Sequence, residues 1–135
     1  MLPAIDTLRY PPLGYNTLRE LRLHSYLIAW FHNFLELFSA TESVTYSAII
    51  FPVFMFALTT IVFFLFTRKI FYKESDKVKN LIALLATLIF VLVPSLLPRT
   101  IAGIPEKDSA AFFFLFLTLY FFLESSTAKN LKKGL

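Results

Sequence analysis

Cysteine is absent from this chain of 135 residues, and glycine and charged residues are scarce. Without cysteine there can be no disulfides, thiolate metal sites, haem-attachment motifs or thiol nucleophiles. Three glycines are too few to build a phosphate-binding loop. Only 16% of the residues are charged, compared with about 25% in an average soluble domain. This shortage of charge argues against a soluble globular enzyme.

Hydrophobic residues are in excess: they make up 57% of the chain, and 17 of them are Phe. Such a composition excludes intrinsic disorder, which requires low hydrophobicity and high net charge. The net charge of +4 does not indicate nucleic-acid binding, because the basic residues flank apolar segments instead of forming a patch. We therefore predict an all-α integral membrane protein that binds no nucleic acid and no soluble small-molecule substrate.

Three apolar runs predict about three transmembrane helices within the region 44–128. The spans are expected at about 44–67, 80–98 and 109–128. The first span lies in an uncharged stretch of 25 residues between Glu42 and Arg68. A helix of about 20 residues crosses a hydrocarbon core about 30 Å thick, so this stretch is long enough to span with some tilt.

Three prolines and one carboxylate modify these spans. Pro52 predicts a bend in the first span, because proline removes a backbone hydrogen bond. Pro94 and Pro98 predict that regular helix weakens at the end of the second span. The third run is short, and Glu124 is expected at the membrane boundary, where small polar residues continue the helix.

The N-terminal third differs in character from the rest of the chain. Residues 1–16 contain three of the seven prolines and are expected to form an irregular or extended arm. Thr17 and Glu20 match a capping box, which predicts the start of an amphipathic helix over 17–40. The N-terminus lacks a short basic segment followed by an apolar core, so no cleavable signal peptide is expected.

The predicted amphipathic helix has a narrow polar stripe and a broad apolar face. The stripe consists of Arg22, Ser25, Ala29, His32, Asn33 and Glu36. Two environments fit this pattern. An interfacial helix would place Tyr26 and Trp30 at headgroup depth, whereas a membrane-inserted helix would turn the stripe toward protein or a watery cavity. We favour the interfacial arrangement.

Basic residues are concentrated near the ends of the predicted spans. The hinge 68–79 contains five Lys or Arg, and the basic tail 129–135 contains three. The remaining five are spread over a much longer part of the chain. The positive-inside rule therefore predicts that the hinge and the C-terminus lie inside and the N-terminus outside. The mitochondrial inner membrane or a prokaryotic plasma membrane is the expected location.

His32 and Glu36 are the candidate pair for chemistry. They are four residues apart on one helical face, a spacing that suits one metal ion or one proton relay. A metal site needs three or four ligands, and His24 points about 80° away from His32 around the helix. We therefore predict no cofactor and no metal site, and we interpret the pair as a solvated face or as a contact to a partner subunit.

Basic residues near the predicted membrane surface are expected to contact lipid headgroups or partner proteins. These residues are Arg22, Arg68, Lys69, Lys73, Arg99, Lys132 and Lys133. Anionic headgroups attract each such residue by about 1 kcal/mol. Anionic lipids are therefore predicted ligands of the hinge and the tail.

The small size, the apolar spans and the lack of a convergent polar site favour a non-catalytic accessory subunit of a larger membrane complex. We expect other membrane subunits as partners, in a respiratory-chain or ATP-synthase assembly. A small oligomeric pore or transport protein is the alternative, since the predicted topology is similar to that of one class of phage holins. A third hypothesis is a membrane enzyme subunit that uses His32 and Glu36.

Overall fold

The computed structural model describes residues 5–6, 12–16, 22–38, 43–94, 100–103 and 106–133. Within these ranges the chain forms four helices and one antiparallel pair of two-residue strands. The elements are β1 (Ile5–Asp6), β2 (Tyr15–Asn16), α1 (Leu23–Leu37), α2 (Val44–Ile70), α3 (Asp76–Leu92) and α4 (Lys107–Lys133). The prediction of an essentially all-helical chain is confirmed for the described residues. In the N-terminal arm, which was predicted to be irregular or extended, β1 pairs with β2.

Helix α2 is the centre of the fold, because it packs against each of the other three helices. Its start is capped by the Ser43 hydroxyl, which accepts a hydrogen bond from the Tyr46 N–H at 3.4 Å. Its last turn carries Arg68 and Lys69, which favourably face the negative end of the helix dipole. The uncharged stretch seen in the sequence is thus one continuous helix of 27 residues.

Two of the three predicted spans are helices long enough and apolar enough to cross a membrane: Val44–Ile70 and Lys107–Thr127. Helix α3 has 17 residues, which at about 1.5 Å per residue gives about 26 Å, slightly less than a hydrocarbon core. It ends at Leu92, two residues before Pro94, as the proline predicted. Residues 95–99, which include the predicted contact Arg99, lie outside the described part of the chain.

Helix α1 is shorter in the structure than the predicted 17–40 helix, and the Thr17–Glu20 capping box lies outside the described residues. The broad apolar face predicted for it is divided in two. One part packs on α2 through Leu27, Ile28, Phe31 and Leu35. The other part remains exposed and comprises Leu23, Tyr26, Trp30, Phe34, Leu37 and Phe38.

Two aromatic clusters join the helices. At one end of the bundle Phe31 of α1 contacts Phe51 of α2, with ring centroids 5.7 Å apart, and Met55 and Ala110 complete the buried group. Toward the other end Phe63 of α2 stacks on Phe90 of α3 at 4.3 Å, and Phe116 of α4 meets both rings edge-on. Aromatic contacts of these two geometries are favourable beyond the area that they bury.

The helix directions follow from these contacts. Ala110, near the start of α4, lies in the cluster with Phe51, and Glu124, near the end of α4, pairs with Lys69. Helices α2 and α4 are therefore parallel and pack on each other, while α3 packs on α2 and runs in the opposite direction. We call the end with the starts of α2 and α4 the loop end, and the end with residues 68–79 the hinge end.

Pro52 lies inside α2 and is fully buried. Since proline has no N–H, it cannot donate to the carbonyl of Ala48, and its ring disturbs the neighbouring hydrogen bonds of the helix. One turn away, the Ile49 carbonyl accepts a hydrogen bond at 3.1 Å from the backbone N–H of Gly103, which lies in the loop before α4. Helix α2 continues through the proline, and the bend predicted there stays a prediction.

Gly103 has φ = +97°, a conformation that residues with a Cβ rarely adopt. An added Cβ would meet nothing within 4 Å, so replacement by Ala is expected to act through backbone strain alone. We expect Gly103→Ala to lower the free energy of unfolding by about 1–3 kcal/mol, measured by thermal or denaturant unfolding in detergent. Gly103→Asn is the control, since Asn tolerates positive φ better. Equal stability of the Ala variant and the parent would contradict this account.

Candidate functional site

His32 is buried between α1 and α2 and forms contacts through both ring nitrogens. Its Nδ1 lies 2.9 Å from the Ser47 hydroxyl of α2, and its Nε2 lies 3.2 Å from Glu36 Oε1, one turn further along α1. His32 is only 9% exposed, whereas the Glu36 side chain is 52% exposed. The structure therefore brings together the predicted pair. The two residues differ in exposure, because His32 is buried and Glu36 lies on a solvated face.

We call His32, Glu36 and Ser47 the polar cluster. Its hydrogen bonds are compatible with a neutral and with a protonated imidazole. With a neutral ring, Nε2–H donates to Glu36 while the Ser47 hydroxyl donates to Nδ1. With a protonated ring, both nitrogens donate, and Ser47 turns its hydrogen to the Ser43 carbonyl, which lies 3.3 Å from its oxygen. In either arrangement both ring nitrogens of His32 keep a hydrogen-bond partner.

Apolar side chains surround the buried part of the cluster. Phe31 and Phe51 lie beside it and are 2% and 1% exposed, and His24 meets the Phe51 ring edge-on at 5.5 Å. Water is largely excluded from this interface, which strengthens the hydrogen bonds within it. Glu36 is left as the member of the cluster that a molecule from outside can reach.

The loop before α4 brings further polar residues to the same end of the bundle. Thr100 and Ser109 are buried there, and the Ser109 hydroxyl donates to the Glu106 carbonyl at 2.9 Å. Two carboxylates, those of Glu106 and Asp108, stand at the start of α4, and Glu106 is exposed. The sequence analysis did not single out these two residues. Their position, two residues apart in the short polar segment between two apolar runs, is the signal that could have identified them.

A metal site is not evident at the loop end. In the described ranges no group of three or more His, Cys, Asp and Glu side chains is placed to hold a metal ion. The described polar groups offer acid–base chemistry and hydrogen bonding.

The hinge end holds a network of ion pairs. Lys69 Nζ lies 2.5 Å from Glu124 Oε2, and Lys79 Nζ lies 2.6 Å from Asp76 Oδ1. Arg68 stands 3.8 Å from the same Asp76 oxygen. The hydrogen bond from Lys79 and its charge, with a smaller effect of Arg68, hold the pKa of Asp76 below its usual range.

The other predicted contact residues are more scattered. Arg22 is exposed and directly precedes α1, and Lys73 lies 5.8 Å from the centre of the Tyr72 ring. Lys132 and Lys133 belong to the last turn of α4, so the helical backbone continues into the predicted basic tail. Among the predicted contacts whose side chains the structure describes, Arg68 and Lys69 come together at the hinge end.

Over the described residues the fold is a bundle of four helices, two of which are long and apolar enough to cross a membrane, with a His–Glu pair at one end of the bundle. Residues 4–133 match the family model described as oligosaccharyl transferase STT3, N-terminal. The chain therefore belongs to the STT3 family of oligosaccharyl transferases. No curated protein and no solved structure matches it significantly.

Family membership corrects two predictions. The prediction that the chain is not an enzyme is wrong, because STT3 is a family of transferases and its match points to an enzyme-associated function. A respiratory-chain or ATP-synthase setting does not agree with the match, which also gives no support to the pore-forming alternative. Membership and the two long apolar helices together support an integral membrane protein.

The Ser47 hydroxyl is hydrogen-bonded to the buried Nδ1 of His32. We therefore expect removal of this hydroxyl to lower the stability of the protein. Ser47→Ala leaves Nδ1 without this partner in a dry interface, and we expect a loss of about 1–3 kcal/mol in the free energy of unfolding. Thermal unfolding in detergent measures the effect. Thr118→Ala is the matched control, because the Thr118 hydroxyl is exposed and bonds only the carbonyl one turn back, Phe114 O. Equal effects of the two substitutions would show that the His32–Ser47 contact contributes nothing specific.

Proposed function

We propose that this chain forms the membrane-embedded part of an oligosaccharyl transferase, with the reacting end of the bundle at the loop end. The observation that carries this proposal is the family match, which extends over nearly the whole chain. Two features of the structure support the choice of end. The buried His32 pairs there with a reachable carboxylate, and the loop before α4 adds polar groups at the same end of the bundle.

Transfer of an oligosaccharide forms a bond between the sugar and an acceptor and breaks the bond between the sugar and its carrier. The acceptor atom loses a proton in this step, and a nearby base must receive it. Glu36 is suited to this role, because it is half exposed and its Oε1 is held by His32. His32 and Ser47 then act as positioning residues: they orient the carboxylate and can share its proton through the two hydrogen-bond arrangements of the cluster.

We further propose that other membrane subunits assemble with the chain. The support comes from apolar surfaces that the described fold does not bury. Helix α1 exposes the aromatic face that includes Trp30 and Phe34. Helix α3 exposes a second set, which comprises Leu81, Leu84, Leu85, Leu88, Ile89 and Leu92. In a membrane such surfaces meet lipid or a neighbouring protein.

The parallel arrangement of α2 and α4 supports three crossings. If both helices cross the membrane in the same direction, the segment between them must return to the starting side. Helix α3 and the residues that follow it make this return, so the hinge 68–79 and the end of α4 lie on one side. The concentration of Lys and Arg there supports the inside as that side.

Glu36→Gln tests the proposed base, since it keeps the size of the side chain and removes its basicity. We expect the transfer rate of the complete transferase to fall by at least about 100-fold, because general bases contribute about 10²–10⁴-fold. His32→Ala should reduce the rate less. Asn33→Ala is the control, since Asn33 is an exposed neighbour on the same helix. Full activity of an intact Glu36→Gln complex would contradict the role. Activity lost only together with dissociation of the complex would assign Glu36 to assembly instead.

The absence of cysteine allows a direct test of topology by single substitutions. We expect Ser75→Cys and Asn130→Cys to react with an impermeant thiol reagent from the same side of sealed vesicles. Ile101→Cys, in the exposed loop at the other end, should react from the opposite side. If the Ser75 and Asn130 variants react from different sides, the arrangement with three crossings is wrong.

A further inference from the structure

A groove of about 370 Å³ lies at the hinge end, between α2, α3 and α4. The side chains that give it its chemistry are Arg68, Lys69, Tyr72, Lys79, Tyr120 and Glu124. We call it the basic groove. Three cations, two phenol hydroxyls and one carboxylate therefore converge on one space, although they come from three different helices and the turn after α2.

The cations of the basic groove exceed the carboxylates that they contact. Lys69 is paired with Glu124, while Arg68 and Lys79 share the single carboxylate of Asp76. Arg68 stands 3.8 Å from Asp76, beyond hydrogen-bond distance, and a guanidinium has five N–H donors. One positive charge is left over, and donor groups capable of binding an anion remain beside it.

The donor groups and the position of the basic groove favour a phosphate group over a carboxylate or a halide. Arginine, lysine and tyrosine together offer both the bidentate geometry and the several donors that phosphate oxygens accept. Leu65 lines the inner wall, one turn before the charged end of α2. The groove thus runs from apolar to basic at the point where α2 changes from membrane-like to water-like sequence, which is where lipid phosphates lie.

We propose that the basic groove is a binding site for an anionic phosphate group, supplied either by the phosphomonoester headgroup of a lipid such as phosphatidic acid or by free inorganic phosphate. The site lies at the opposite end of the bundle from the His32 cluster, so it is independent of the proposed base. Glu124 limits the affinity of the groove for phosphate. Its carboxylate forms an ion pair with Lys69 and repels a bound anion.

Photocrosslinking tests this proposal. The full chain is purified in mild detergent with its co-purifying subunits and reconstituted in phosphatidylcholine nanodiscs. The probe is a photoactivatable phosphatidic acid, and its crosslinks are located in this chain by mass spectrometry. We expect crosslinks near the ends of α2 and α4. Unlabelled phosphatidic acid should compete and phosphatidylcholine should not. Competition by inorganic phosphate at millimolar concentration would support free phosphate as a ligand of the same site, whereas competition by phosphatidic acid alone would support the lipid headgroup.

Substitutions locate the site. Arg68→Gln and Lys79→Gln should each lower the crosslinking yield at least about fivefold, as expected for the loss of a charge-assisted contact. Glu124→Gln should raise it, since it removes the competing carboxylate. Lys77→Gln is the matched control: it removes one charge from an exposed hinge residue that does not line the groove. An equal loss with Lys77→Gln, or equal competition by phosphatidylcholine, would overturn the proposal. Arg68→Gln leaves the Lys69–Glu124 ion pair intact, so a lower crosslinking yield cannot be attributed to loss of that pair.

Discussion

A hydrogen bond close to a buried proline joins the central helix to the loop before α4. Pro52 cannot donate a backbone hydrogen bond, and a low-dielectric surrounding makes any carbonyl left without a partner expensive. The carbonyl that loses its donor is that of Ala48, and the neighbouring Ile49 carbonyl accepts a hydrogen bond from the Gly103 N–H, in a loop that is distant in sequence. The loop is therefore held against α2 by the backbone. Through it the start of α4 and its carboxylates are held at the same end as His32.

The two ends of the bundle use charge in different ways. At the loop end a single imidazole is buried with a hydroxyl and a half-exposed carboxylate, so its hydrogen bonds are few and well defined. At the hinge end cations outnumber carboxylates around an open groove. The first arrangement is suited to the movement of one proton, and the second to the attraction of an anion. The apolar middle parts of α2 and α4 separate the two sites.

The sequence predicted the helices well and the contacts between them poorly. Apolar runs determine where the chain can form membrane helices, and Pro94 ends α3 by a local steric effect. His32 and Glu36 were predicted to meet because helix geometry alone brings residues four apart together. Ser47, by contrast, approaches His32 only after α1 packs on α2. Lys69 and Glu124 likewise meet only through the parallel packing of α2 and α4. The membership of an enzyme family was missed because the chain carries none of the common catalytic motifs, and the family match revealed it.

The exposed face of α1 has a practical consequence. Trp30 is the only tryptophan of the chain, it is 60% exposed, and it stacks on Phe34 at 6.0 Å on the side of the helix away from α2. The tryptophan fluorescence of this chain therefore originates at one position. Its emission wavelength reports whether that face of α1 meets water, lipid or protein, and no introduced label is needed.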